Sequence, residues 1–190
     1  MFLAMGAEAT IELRDGMVIK KRLRKGYRLE SLDNLIRRDR TRTEARLISE
    51  SRRNGVPTPI IYDIEDFEIT MEYIEGPKIK DIITPRLSND VGVVVGKLHA
   101  ANIVHGDLTT SNMILHNDRI YLIDFGLAYY DNSVEAQGVD IHVLFQTYES
   151  THNDHEELIS AFSGAYRQTF SGADAVLERV TQIKRRGRYA

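Results

Sequence analysis

The chain of 190 residues contains no cysteine. That excludes a disulfide framework, a thiolate nucleophile and any cysteine-ligated metal, and it fits a reducing, cytoplasmic compartment. Proline is scarce: Pro57, Pro59, Pro77 and Pro85 are all there is, and none lies beyond residue 85. No apolar run reaches membrane-spanning length, and Met1 to Gly16 lacks the pattern of a secretion signal. No internal repeat is present. The length suits one domain, or two small lobes sharing a cleft.

The formal net charge of -3 conceals a strong segregation. Residues 14–54 carry 14 basic and 6 acidic side chains, a net of +8. Residues 55–178 carry 6 basic and 20 acidic, a net of -14, and residues 179–190 add 5 basic and no acidic ones. Basic segments therefore flank an acidic body. Arg22, Arg24, Lys25 and Arg28, with Lys184 to Arg188, are candidates to meet nucleic-acid phosphates or an acidic partner.

Short apolar stretches around Gly6-Ala7-Glu8-Ala9, then Met17-Val18-Ile19-Lys20 after a turn at Asp15-Gly16, predict strands. Arg28 to Asn54 predicts one long or broken helix. It has an apolar face at Leu29, Leu32, Leu35 and Ile36 and another at Ala45, Leu47 and Ile48. Ile60-Ile61-Tyr62 and Glu68 to Met71 predict strands, and Glu75-Gly76-Pro77 breaks the chain. Ser88 is the expected cap of a helix carrying Val91, Val94, Val95 and Leu98. Met113-Ile114-Leu115 and Ile120 to Ile123 predict a hairpin. Everything after Val134 reads as helical, with a cap at Asn153 or Asp154 and a break at Ser171-Gly172. The fold class is α+β: a small β-rich lobe with one long helix, residues 1–76, then a mainly helical lobe, residues 77–190.

The most informative stretch is His105-Gly106-Asp107-Leu108-Thr109-Thr110-Ser111-Asn112, followed by Asp124-Phe125-Gly126. Any one of these residues suits a turn. Together they resemble the H-R-D-L-x-x-x-x-N loop and D-F-G triplet of protein-kinase-like folds. In that reading Asp107 orients the attacking hydroxyl or water. Asn112 and Asp124 offer hard oxygens to Mg²⁺. Lys20 ends a stretch similar to the kinase V-A-I-K strand and would grip the phosphates of ATP, with Lys21 and Lys25 as alternatives. Glu44 on the long helix is its expected partner.

Adenine is expected between Val18 above and Ile114 below, with Ile123 at the rear. Met71 would guard the back, and the backbone from Glu72 to Ile74 would bind the base. Gly6, Ala7, Glu8 and Ala9 stand where kinases carry a G-x-G-x-x-G loop over the phosphates. Other departures are as telling. Gly106 replaces the arginine of H-R-D. No proline follows Asp124, so no A-P-E motif exists, and fifteen residues separate Asp124 from Asp140. The activation segment is nearly deleted. His105 is expected to pack beneath Asp124, and His152 and His155 to serve as caps or surface groups.

The motifs together, with Lys25-Gly26-Tyr27-Arg28, Asp33, Arg40 to Ala45, Gly55 to Pro59, Ser150-Thr151-His152 and the tail Arg185-Arg186-Gly187-Arg188, resemble one family nearly end to end. It is the small atypical kinase of the KEOPS complex, of the PRPK type. The resemblance implies ATP and Mg²⁺ as cofactors, with autophosphorylation on serine or threonine or ATP hydrolysis. It also implies regulation of threonylcarbamoyl-adenosine formation on tRNA. The partners it implies are the threonylcarbamoyl-transferase subunit, a small helical activator subunit and tRNA, and no membrane. A RIO-type ribosome-assembly kinase is the alternative, though no winged-helix segment is evident. A non-catalytic docking module and a small-molecule phosphotransferase are others.

Overall fold

The computed structural model describes residues 2–6 and 8–187. Strands β1 (Phe2–Met5), β2 (Ala9–Arg14), β3 (Met17–Arg22), β4 (Ile61–Ile64) and β5 (Glu68–Glu72) form an antiparallel sheet ordered β1-β2-β3-β5-β4. Asp15 and Gly16, with φ of 52° and 75°, make the tight β2–β3 turn that a right-twisted hairpin requires.

Helix α1 (Glu30–Arg53) is unbroken and packs on β4 and β5. Ala45, Leu47 and Ile48 are buried as expected. Of the other expected apolar face, only Ile36 is even partly buried. Leu29, Leu32 and Leu35 are 77%, 48% and 65% exposed. The inward positions of the first turns are polar instead. Asp33 is fully buried, ion-paired to Arg37 at 2.7 Å and to Arg28 at 3.6 Å, and accepts a bond from the Lys25 amide. Burial alone would raise the Asp33 pKa, but that amide and the two guanidinium groups hold it below the usual carboxylate range. The Lys-Gly-Tyr-Arg stretch is thus anchored to α1 from within.

The rest of the chain runs through α2 (Ile79–Ile82), α3 (Pro85–Ala100), β6 (Ile103–Val104) and a 3₁₀ turn at Thr110–Asn112. Then come β7 (Met113–His116), β8 (Arg119–Leu122), β9 (Tyr129–Tyr130), α4 (Val134–Thr151), α5 (His155–Thr169) and α6 (Ala173–Gly187). Val91, Val95 and Leu98 of α3 pack with Leu144, Phe162 and Tyr166 in the main core. The α3 cap differs from expectation. Pro85 opens the helix with its preset φ, and Thr84 accepts from the Leu87 amide at 3.3 Å. Ser88 lies buried inside, donating to the Leu158 carbonyl at 2.7 Å.

The chain between β5 and α2 crosses the β7–β8 hairpin closely. The Leu115 amide donates to the Pro77 carbonyl at 3.0 Å. A Cβ on Gly76 would stand 2.0 Å from the Leu115 carbonyl oxygen, so only glycine permits this crossing. That approach puts Ile114 under the sheet. The β6–β9 pairing, only two residues long on each side, has no sequence signal.

Candidate nucleotide and metal site

A cleft of about 870 Å³ separates the sheet from the helical region. Gly6, Glu8, Ala9, Val18 and Lys20 line it from the β1–β3 side, and Glu44 from α1. Met71, Glu72 and Ile74 line it from β5 and the segment that follows. Asp107, Asn112, Ile114, Ile123 and Asp124 line it from below. Every residue expected at the site is there except Ala7, which lies outside the described residues. Ile11, Arg22, Pro59, Lys78 and Leu127 line it as well and were not expected there.

Strand alternation sorts the candidate lysines. Val18, Lys20 and Arg22 share one face of β3, and Lys21 points the other way. Lys20 is 7% exposed, and its Nζ donates to Glu44 Oε1 at 2.6 Å and Asp124 Oδ1 at 2.7 Å. Lys21 lies within 3.8 Å of Glu68 on the outer face, and Lys25 comes after β3 has ended. Burial alone would lower the Lys20 pKa, but Glu44 and Asp124 hold it above the usual lysine value. Burial would likewise raise Asp124, yet Lys20 keeps it below the usual carboxylate value. Asp124 therefore stabilises the fold above its ordinary pKa near 3.8, an effect lost as pH falls through its lowered value. Lys20 does so below 10.5, an effect lost as pH rises through its raised value.

The lower wall is built by backbone bonds. The Ile123 amide donates to the Asn112 carbonyl at 3.0 Å, fixing the segment before Asp124 against the Asp107–Asn112 loop. His105 is fully buried, 3.1 Å through Nε2 from the Ile123 carbonyl, and its ring packs tilted against Phe125 at 4.9 Å between centroids. A carbonyl only accepts, so Nε2 carries the proton. His105 is a support beneath Asp124, as expected. Asp124 itself has φ of 61°, a left-handed conformation that Asp and Asn tolerate best among non-glycine residues.

Mg²⁺ fits this donor set. Asn112 Nδ2 donates to Asp107 Oδ2 at 2.9 Å and to the Asp107 carbonyl at 3.0 Å, which leaves the side-chain oxygen of Asn112, Oδ1, for a cation. Asp124 supplies a carboxylate. Among the described residues no group of three or more His, Cys, Asp or Glu could hold a metal alone. Mg²⁺ commonly takes one or two carboxylates and completes its shell with phosphate and water, as this site would allow.

Beneath the loop, Asp140 of α4 accepts from the His105 amide at 2.8 Å and the Gly106 amide at 2.9 Å, and faces His99 Nε2 at 3.3 Å. Gly106 has φ of 78°, and a Cβ there would stand 2.3 Å from the Leu127 carbonyl oxygen. The chain after Gly126 turns straight back across the loop, where ordinary kinases lead into a long segment. Gly106→Ala should therefore destabilise the protein by about 2 kcal/mol or more, lowering its melting temperature by roughly 5 °C. An unchanged thermal melt would show that the crossing is looser than drawn.

Two residues of the basic set also move. Arg22 is in the cleft, and Arg24 pairs with Glu30 at 3.4 Å. In the tail, Lys184 pairs with Glu149 at 2.5 Å, and residues 188–190 lie outside the described residues. His155 Nδ1 lies 3.1 Å from the His152 carbonyl, a capping contact.

Sheet, helix, cleft and hairpin define a protein-kinase-like fold. Solved structures agree. An ADP-bound aminoglycoside phosphotransferase, APH(2'')-Ib, superposes with a TM-score of 0.67 at 15% identity, covering 94% of this chain and 80% of that one. The Rio2 kinase–ADP/Mg²⁺–phosphoaspartate complex from Chaetomium thermophilum gives 0.65 at 13% identity, covering 100% and 71%. The family model of the RIO domain matches residues 12–159. The chain belongs to the RIO domain family and groups there with Bud32-type proteins.

Two of those relatives match over nearly their whole length. A probable serine/threonine-protein kinase BUD32 homolog from Archaeoglobus fulgidus is 44% identical over 189 residues, covering 100% of this chain and 96% of that one. The KEOPS complex subunit Bud32 from Pyrococcus abyssi is 37% identical over 203 residues, covering 100% and 91%. A probable bifunctional tRNA threonylcarbamoyladenosine biosynthesis protein from Methanosarcina barkeri is 59% identical over 190 residues. That match covers 97% of this chain but spans only 35% of the relative's length. Among the described residues, no helix is long and apolar enough to cross a membrane.

Proposed function

We propose that this chain is an atypical serine/threonine protein kinase and ATPase of the KEOPS machinery, working in the cytoplasm. It would move the γ-phosphate of ATP to a serine or threonine hydroxyl, its own included, or to water. It would thereby regulate threonylcarbamoyl-adenosine formation on tRNA. The names of the relatives support the setting. The observation that carries the chemistry is the convergence on one cleft of the Lys20–Glu44 pair and the donors Asp107, Asn112 and Asp124. The threonylcarbamoyl-transferase subunit, a small helical activator and tRNA are the proposed partners.

Two lobes, residues 1–76 and 77–190, would hold ATP between them. Val18 and Ile114 sandwich the base, and the backbone from Glu72 to Ile74 binds its edge. Lys20 gives its ammonium to the phosphates, steadied by Glu44. Asn112 and Asp124 would hold Mg²⁺, which neutralises the charge on the phosphates when bound. Asp107 faces the cleft from the loop and orients the attacking oxygen, accepting its proton. The Asn112 amide at 2.9 Å fixes that carboxylate's direction. The short return after Gly126 leaves little platform for a peptide, which favours water or a nearby hydroxyl as acceptor.

The test is magnesium-dependent release of labelled phosphate, with and without tRNA and the transferase subunit. Asp107→Ala should cut turnover by about 100-fold while nucleotide still binds. Equal turnover in the two proteins would remove Asp107 from the chemistry.

A further inference from the structure

The cleft contains a second buried cation that the kinase pattern does not call for. Arg22 is 5% exposed, two residues beyond Lys20 on the same face of β3. Its Nη2 donates to Glu44 Oε2 at 2.5 Å, while Lys20 takes the other oxygen of that carboxylate at 2.6 Å. Glu44 is 1% exposed, so its charge depends on these two partners. The same Arg22 Nη2 reaches the Arg40 carbonyl at 3.4 Å, and Nη1 lies 3.8 Å from Glu8 Oε2. Glu8 is held in turn by Arg40 at 2.8 Å, and its carbonyl accepts from the Leu23 amide at 2.9 Å. A continuous chain of opposite charges thus runs from the turn above the cleft to the lysine inside it.

We propose that Arg22 is a positioning residue of the phosphate site: it fixes Glu44, through Glu44 aims Lys20, and through Glu8 ties down the β1–β2 turn that covers the phosphates. The inference rests on the nucleotide reading given above. The sharing of Glu44 explains how one carboxylate serves both groups. Arg22 holds one oxygen through Nη2 and turns Nη1 toward Glu8, a division across a planar group that lysine cannot reproduce. Lys20 uses two of its three donors, on Glu44 and Asp124, and keeps one for a phosphate. In glycine-loop kinases, backbone amides of the loop lie over the phosphates. Here the turn carries an acidic side chain, and Arg22 and Arg40 turn that liability into an anchor. The Arg22 Nε is buried without a partner among the described residues, so the fork retains an unused donor.

The test is calorimetric titration of the full chain with Mg-ADP and, separately, with adenosine, which lacks the phosphates. Arg22→Met should weaken Mg-ADP binding by about tenfold, the loss of one charge-assisted contact, and leave adenosine binding unchanged. Arg22→Lys should recover only part of the loss. The double variant Arg22→Met with Glu44→Gln should bind Mg-ADP at most about threefold worse than Glu44→Gln alone, because only the part of the Arg22 effect that runs through Glu8 is left to lose. Glu8→Gln, a change on an exposed side chain that should not threaten folding, is expected to weaken Mg-ADP by about threefold. Full-strength Mg-ADP binding by Arg22→Met, or additive losses in the double variant, would overturn the proposal. Should Arg22→Met not fold, unaltered binding by Glu8→Gln would overturn it instead. A wild-type chain that binds adenosine but not Mg-ADP, or neither, would bring down the nucleotide reading along with it.

Discussion

Asp124→Asn should abolish magnesium-dependent ATP turnover, by about 100-fold or more, while leaving the fold in place. Asparagine tolerates the left-handed backbone at this position, where φ is 61°. It can still accept the Lys20 hydrogen bond through its amide oxygen, and Lys20 keeps Glu44 at 2.6 Å. What it cannot supply is the negative charge that a magnesium ion requires. Labelled-phosphate release should collapse while the melting temperature falls only modestly, by the loss of the Lys20–Asp124 charge pair. The same variant separates an enzyme from a docking shape. A protein that works only by its outline would support tRNA modification equally well with asparagine at 124.

The largest effect on stability is expected from Asp140→Ala. Asp140 is 2% exposed and accepts both backbone amides at the start of the loop, His105 and Gly106, besides facing His99. His99 Nδ1 is in turn 2.8 Å from the Tyr166 hydroxyl, whose pKa burial pushes up, with Asp140 adding to the rise. Alanine would leave the buried His105 amide unsatisfied and release the partly buried Gly106 amide, at about 3 kcal/mol in total. For a chain of this size that lowers the melting temperature by roughly 10 °C. Differential scanning calorimetry of the two proteins measures it directly. A melting temperature within a degree or so of wild type would mean that the loop is held by other contacts.

The parts of the site written in fixed spacing were readable before any coordinates. Asp107, Asn112 and Asp124 identify themselves as a set, and Lys20 and Glu44 follow from their place on a strand and a helix. The hairpin was readable because Asn117 and Asp118, at φ of 48° and 57°, are residues that accept left-handed backbone. The inward face of α1 was not. Periodicity assigns the core to apolar positions, but here Asp33, Thr41 and Glu44 point inward: Asp33 is met by Arg28 and the Lys25 amide on the preceding loop and by Arg37, Thr41 bonds the Arg37 carbonyl one turn back, and Glu44 is paired by Lys20 and Arg22 on β3. Arg22 was hidden for the same reason. Within a basic stretch it looks like a surface charge, and only strand alternation counted from Lys20 would have turned it inward. The β6–β9 pairing leaves no pattern in two residues per strand.

The abrupt return of the chain after Gly126 has a consequence for control. In many protein kinases a long loop at this point acts as a lever, thrown when a phosphate on it pairs with the arginine beside the catalytic aspartate. Neither half of that device exists here: glycine stands at 106, and the strand at Tyr129–Tyr130 is already paired with Ile103–Val104. A phosphate placed after Gly126 would therefore find no arginine at 106 to pair with and no long loop to reposition, so that route of control is closed to this cleft.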